Sequence, residues 1–488
     1  MRRFFFTFFF WGVLGKILGL LRELFMASMF GTGVAAMACR LSLSCVTIPG
    51  KLLTSEPVTG GFMPLFGKAW SDKDEAKAAC IFWFFLSVTL IFSLCVSVLL
   101  HLYAPFWIQS LAPGLNGDEH ELAVDFLRIT SLGLPAFVMA VTLSILEMVR
   151  GNSLIAAIQA SLQSLGLLAG IVLFSFFSEV RLLAWGLNVG WFSHLLIALY
   201  RTRALIPPVS MPILRSRVWI LAGTFFKTTL PLLPVPLLVQ GNLALERIVA
   251  SHMGGKTIPA LDYSRFICET GMALVAMPLG YAILSHLSHY DIERLRTRLI
   301  EIIAPILLVG SLCSYWLFAS SNLIVELLFG RGEFGEADVV LTASILSWSI
   351  LGLWAHVAGY VLLRGLNISL KNKSYSFSLL LSTIVSMVTN WLLWPYYGPA
   401  TLGISYFLYS ATLFFSTITL LKLWNAFIKR CLHLLIPYMA IYLLHSINIA
   451  DIQNDIVFRT CIVIVMGSVP FASPKIRRQF RLLFASRQ

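Results

Sequence analysis

The stretch from Gly15 to Pro64, GKILGLLRELFMASMFGTGVAAMACRLSLSCVTIPGKLLTSEPVTGGFMP, is apolar enough to sit in a bilayer yet carries Lys16, Arg22, Arg40 and Lys51. A charge near the middle of a membrane costs at least about 2.5–3.5 kcal/mol on insertion scales, so such residues face a cavity or a partner. Two neighbouring membrane helices that each hold cations provide a place for an anion. Arginines would offer planar donor forks and lysines point charges. A further cation, Arg265, lies in the apolar run that begins DYSRFICETG at Asp262. The competing reading is pairing with adjacent acids: Arg22 with Glu23, Arg265 with Asp262 or Glu269, Arg247 with Glu246. Lys51 could instead snorkel to a membrane face. The pattern points to a multispan transporter of negatively charged cargo.

Composition supports a membrane setting. The 488 residues are 58% hydrophobic and 12% charged, with a mean hydropathy of +0.84, whereas a soluble domain carries about 25% charged residues. The net charge of +13 does not imply nucleic acid, because the basic residues fall between apolar runs and not on one polar module. Cys39, Cys45, Cys80, Cys95, Cys268, Cys313 and Cys461 lie singly in or beside apolar runs with no CxxC. They read as small buried hydrophobes, without a metal site or disulfide framework. The opening MRRFFFTFFFWGVLGKILGLL has a basic end and an apolar core, but no small-residue cleavage site follows, so it is expected to be a retained helix. No nucleotide-binding loop, HExxH or Ser/His/Asp set is present. A transporter is expected, not an enzyme, and no cofactor is implied.

About 20 apolar residues span the hydrocarbon core. On that template fourteen spans are expected, near 4–28, 34–65, 78–104, 122–149, 154–178, 182–200, 218–250, 257–288, 299–328, 338–363, 374–395, 399–421, 431–448 and 456–473. Pro231, Pro234, Pro236 and Gly241 are expected to bend the seventh. Cations cluster in alternate loops, including Lys68, Lys73 and Lys77, Arg201 to Arg217, Arg294 to Arg298, and the tail from Lys475. The other loops carry Asp118, Glu119, Glu121, Glu333, Glu336 and Asp338. The positive-inside rule then places both termini in the cytoplasm. Arg22 with the following LFMASMFG echoes Arg247 with IVASHMGG, about 225 residues on. That echo suggests two six-helix lobes, 1–203 and 204–425, with two further spans and a basic tail over 426–488. The tail would rest on anionic membrane lipids. His194 and His356 are expected to be core histidines, and Asn390 to bond a neighbouring helix.

Four separated segments resemble the MurJ/MviN family, the lipid II flippases of the multidrug/oligosaccharidyl-lipid/polysaccharide exporter superfamily. They are LGLLRELFMASMFGTG at 18–33, LAPGL at 111–115, DYSRFICETGMALVAMPLGYAILSHLS from Asp262, and LLFGRGEFGEAD at 327–338. The resemblance implies an all-α, fourteen-helix inner-membrane protein with two lobes around a central cationic cavity, working by alternating access. The implied cargo is undecaprenyl-pyrophosphate-linked disaccharide pentapeptide. Family cavity arginines match Arg22 and Arg265, the preceding basic position falls on Lys16, and the basic pair late in span 2 is represented by Lys51. The family's acid after F-G-x-G falls on Met37, and its E-G-x-F stretch is altered around Glu56-Pro57. Coupling to membrane potential or a monovalent cation is expected, as are contacts with cell-wall synthesis or division proteins. The alternatives are an exporter of another lipid-linked saccharide or amphipathic cargo, or a transport-inactive scaffold.

Overall fold

The computed structural model describes residues 2–54, 65–72, 74–149, 152–206, 222–223, 227, 233–287, 289–369 and 371–430. Every element defined among them is a helix. The first half of the chain runs α1 (Arg2–Phe30), α2 (Val34–Thr54), α3 (Glu75–Leu102), α4 (Ala104–Leu111), α5 (Asp118–Ser131), α6 (Leu134–Val149), α7 (Leu154–Phe177) and α8 (Leu182–Thr202). The second runs α9 (Pro234–His252), α10 (Thr257–Leu287), α11 (Ile292–Ala319), α12 (Ser321–Phe329), α13 (Glu336–Leu351), α14 (Leu353–Ile368), α15 (Asn372–Tyr397) and α16 (Ala400–Leu420), followed by α17 (Trp424–Arg430). The order repeats: three long helices, one short helix, a bent pair, two long helices. The bends agree as well, 42° between α5 and α6 and 44° between α13 and α14. The repeat suggested by the short sequence echo therefore extends through the element order.

Hydropathy separates the helices by role. Helices α3, α7, α8, α11, α15 and α16, with the two bent pairs, are long and apolar enough to cross a membrane. The long helices α1, α2, α9 and α10 are not among them, and these carry Lys16, Arg22, Arg40, Lys51, Arg247 and Arg265. The expected spans at 431–448 and 456–473 lie outside the described residues.

Several sequence expectations need correction. The spans expected at 122–149 and 338–363 are each two helices, broken beside Gly133 and at Gly352. A Cβ on Gly133 would come within 2.3 Å of Asn188 and Trp191, and one on Gly352 within 2.7 Å of the Phe407 backbone. At both breaks the chain presses directly on a neighbouring helix. The span expected at 299–328 ends at Ala319, and α12 starts anew at Ser321. Pro231 lies outside the described residues, and Pro234 and Pro236 open α9. They lie in its first turn, where a missing N–H costs nothing. Cys95 and Cys313 are exposed, unlike the buried Cys39, Cys45, Cys80 and Cys268. Cys95 sits among exposed Leu94, Val98 and Leu99, so an apolar outer surface accepts the thiol as readily as a core does.

By contacts the chain forms two compact units. The first comprises residues 1–259 with Arg331–Gly335, the second residues 260–330 with 336–488. This division differs from the expected 203/204 boundary, because α9 packs on α2 and α4 of the first unit. Most of the expected 426–488 segment lies outside the described residues.

In the first unit α7 and α8 form a hairpin in direct backbone contact. Cβ atoms on Gly166, Gly170, Gly186 and Gly190 would come within 2.3, 2.6, 2.4 and 2.7 Å of carbonyl oxygens on the facing helix. Both helices carry a G-x-x-x-G spacing, which lets helix backbones approach where lipid gives no hydrophobic push. The ends of the hairpin are tied down by Glu147 of α6. Its carboxylate accepts from Arg201 Nε at 2.7 Å and from the Ile155 N–H at 2.8 Å. Arg201 is thus an ion-pair partner as well as a loop cation. The second unit has an aliphatic and aromatic core that includes Leu299, Ile303, Leu307, Ala358, Leu362 and Phe414. Gly186→Ala is expected to cost about 1–3 kcal/mol through overpacking. It should lower the unfolding midpoint of detergent-solubilised protein, whereas Gly12→Ala, with open space around it, should not. Equal midpoints would show that the hairpin does not depend on backbone contact.

Candidate functional site

The site grows from the turn between α1 and α2. Gly31 adopts φ +54° and donates its N–H to Ala27 O at 2.8 Å, which ends α1, and Gly33 O accepts from Met37 at 3.0 Å as α2 begins. This tight reversal lays the two helices side by side. Glu23, eight residues before Gly31, then meets Arg40, seven residues after Gly33.

Glu23 is the hub. Its Oε1 accepts from Arg22 Nη2 at 2.6 Å and Nε at 3.1 Å, and its Oε2 accepts from Arg40 Nη2 at 2.5 Å. Arg22 Nη1 also lies 3.5 Å from Ser164 Oγ on α7. The carboxylate side chain is 5% exposed, Arg40 10% and Arg22 21%. Two guanidiniums share one carboxylate, so the trio carries one net positive charge. Pairing of Arg22 with Glu23, the competing structural reading, is therefore realised.

Lys16 and Lys51 are both exposed. Lys16 lies seven residues before Glu23 on α1, two turns away along nearly the same stripe. Lys51 lies eleven residues past Arg40 on α2, about 16 Å along its helix. Cation exposure thus rises with distance from the α1–α2 turn. Met37, where the family pattern has an acid, is fully buried. Glu56 and Pro57 lie outside the described residues.

Arg265 belongs to the second unit. It is half-buried on α10, with Glu269 one turn on and Tyr406 of α16 as electrostatic neighbours. Arg247 on α9 is buried, and its Nη1 is 3.4 Å from Ile258 O. Glu246 accepts from Asn242 Nδ2 at 2.9 Å. His194 is a core residue, its Nε2 2.9 Å from Ile155 O. His356 packs on Tyr406 and Tyr409, with ring centroids 5.3 and 5.6 Å away. Asn390 is fully buried but makes no bond to a neighbouring helix among the described residues, contrary to expectation.

Sequence reasoning treated Glu23 only as the neighbour of Arg22. Its link to Arg40 was readable from the near-equal spacing of both residues from the Gly-Thr-Gly turn. Removing one member of a buried ion cluster and leaving the others costs about 3–5 kcal/mol. Glu23→Ala should therefore destabilise the purified protein more than Arg22→Gln, which leaves Glu23 paired with Arg40. The reverse order of unfolding midpoints would refute the hub assignment.

The family model described as lipid II flippase MurJ matches residues 26–463. A probable lipid II flippase MurJ from Thermotoga maritima is 23% identical over 373 residues, covering 76% of this chain and 75% of the relative. One from Aquifex aeolicus is 24% identical over 400 residues, covering 78% and 76%. The fold is similar to a solved lipid II flippase MurJ in an inward closed conformation, with a TM-score of 0.81, 18% identity, and 99% and 100% of the chains covered. It is also similar to an inward-facing multidrug resistance MATE family transporter, with a TM-score of 0.68, 14% identity, and 85% and 95% covered. With the family model spanning most of its length, this chain is a multi-pass membrane transporter that belongs to the lipid II flippase MurJ family.

Proposed function

We propose that this protein carries lipid II, the undecaprenyl-pyrophosphate-linked disaccharide pentapeptide, from the cytoplasmic to the outer leaflet by alternating access. The observation that carries this reading is the Arg22–Glu23–Arg40 cluster, a net cation held between membrane helices with Arg22 partly accessible. A pyrophosphate diester is the complementary ligand: about two negative charges with many acceptor oxygens, suited to guanidinium forks. Lys16 and Lys51 extend the positive field along α1 and α2, and Arg265 contributes a further fork. The fold shared with a MATE transporter admits a drug exporter as a second reading. A site for organic cations would need surplus acid, and the cluster has the opposite sign.

Cations in the alternate loops support a cytoplasmic location for both termini. An inside-negative potential then drives the anionic head group outward, by about 2.3 kcal/mol per charge per 100 mV, and draws the emptied cationic site back. Imposing such a potential across proteoliposomes should speed translocation, and an unchanged rate would remove this coupling. The buried Asn390 amide is the group to substitute when testing dependence on a monovalent cation.

The deciding experiment is translocation of fluorescent lipid II in proteoliposomes, comparing the parent protein with Arg22→Ala and Arg265→Ala at equal incorporation. Transport by the parent that falls at least tenfold in either variant is expected, the loss of a charge-assisted contact worth about 1.5–3 kcal/mol. Full transport by both variants would refute the cationic site. No transport by the parent, in vesicles where a working flippase is active, would refute the cargo.

A further inference from the structure

Two loops and two helix ends that lie far apart in sequence make the same close backbone approach twice. Ser28 and Ser251 occupy the last turns of α1 and α9, 223 residues apart, and Gly31 and Gly254 follow at the same offset, both at positive φ. Each serine Oγ donates to the carbonyl three residues back, Phe25 at 3.1 Å and Ile248 at 2.7 Å. The loops also correspond. LAPGLNGD at 111–118 follows short helix α4 and FGRGEFGE at 329–336 follows short helix α12, so Gly114 aligns with Gly332 and Gly117 with Gly335 without a gap.

The partners are exchanged. A Cβ on Gly114, in the first half, would come within 2.2 Å of Ser251 O in the second, and one on Gly332, in the second half, within 2.1 Å of Ser28 O in the first. Each close approach carries a hydrogen bond: Gly114 N–H to Ser251 Oγ at 3.2 Å, and Glu333 N–H to Ser28 O at 2.9 Å. No side chain fits between loop and helix end at either point. All four partners belong to the first compact unit, which takes in Arg331–Gly335 although the flanking α12 and α13 do not.

We propose that these contacts form a reciprocal latch, in which each half's glycine loop clasps the end of the other half's first helix, so that the two clasps open and close together. The exchange supplies the coupling. The halves meet at two equivalent points, so a displacement of one half's helix end against the other half's loop acts on both clasps. The positive-inside assignment puts all four segments on the extracytoplasmic side. The latch would close the exit there and must release once per transport cycle. Its purpose, though not its geometry, rests on the flippase reading.

Two measurements test it. In a background with the eight native cysteines replaced by serine, Leu115→Cys, buried beside Gly114, reports the first clasp to a membrane-impermeant maleimide, and Ser28→Cys reports the second. Gly332→Ala is expected to raise labelling of both reporters severalfold, while Gly335→Ala, with nothing near its Cβ, leaves both at the parent level. A rise at Ser28→Cys alone would make the loops independent and overturn the latch, as would no rise at either. In the second measurement, Ser28→Cys with Glu333→Cys is oxidised and assayed for lipid II transport. Crosslinking that stops transport, with recovery on reduction, is expected. Failure to crosslink, or full transport while crosslinked, would overturn the latch. If the reduced protein and the parent are both inactive, the flippase reading fails, and the labelling still decides the latch.

Discussion

The cost of holding cations among apolar helices governs this molecule. Arg22 and Arg40 would be untenable in the α1–α2 pair without Glu23, and Glu23 would be untenable without them. The requirement reaches outward to the local backbone. The Gly31-Thr32-Gly33 turn fixes the register that sets Glu23 against Arg40, and Ser164 brings α7 to the edge of the same cluster. One carboxylate between two guanidiniums stabilises both cations at once and ties α1 to α2.

Much of this was legible in the sequence, for definable reasons. Bilayer thickness fixes the length of an apolar run, so α3, α7, α8 and α16 fall close to where hydropathy puts them. Polar character in α1, α2, α9 and α10 was equally visible, since each charge stands out against its apolar surroundings. What escaped depended on partners distant in the chain. The breaks at Gly133 and Gly352 come from close approach of another helix. Neither glycine looks different in sequence from Gly241, which lies within an unbroken α9. The membership of α9 in the first unit follows from its packing on α2 and α4, which no local pattern encodes. The exposure of Cys95 and Cys313 shows a related limit: in a membrane helix, inward and outward faces are both apolar, so composition cannot tell them apart.

The internal repeat behaves in the same way. As a sequence signal it amounted to a few matched residues, within reach of chance. As structure it extends to helix order, to bends of 42° and 44°, and to paired serines and glycines at the helix ends. The matched positions include Gly114 and Gly332, each pressed against a helix-end carbonyl, and Gly31 and Gly254, both at positive φ. The surrounding helix faces kept only their apolar character.

The α7–α8 hairpin has a consequence for how the protein is made. Its four glycines and the carbonyls they touch all lie within residues 162–190, so the contact is complete before any of the second half exists. During membrane insertion this pair is expected to lock as soon as α8 clears the ribosome. The charged α1–α2 pair, already synthesised, then has a finished apolar wall to dock on, at Gly15 against Ser161 and Arg22 beside Ser164. Assembly in that order shelters the cations from lipid early, when they are most costly to leave exposed.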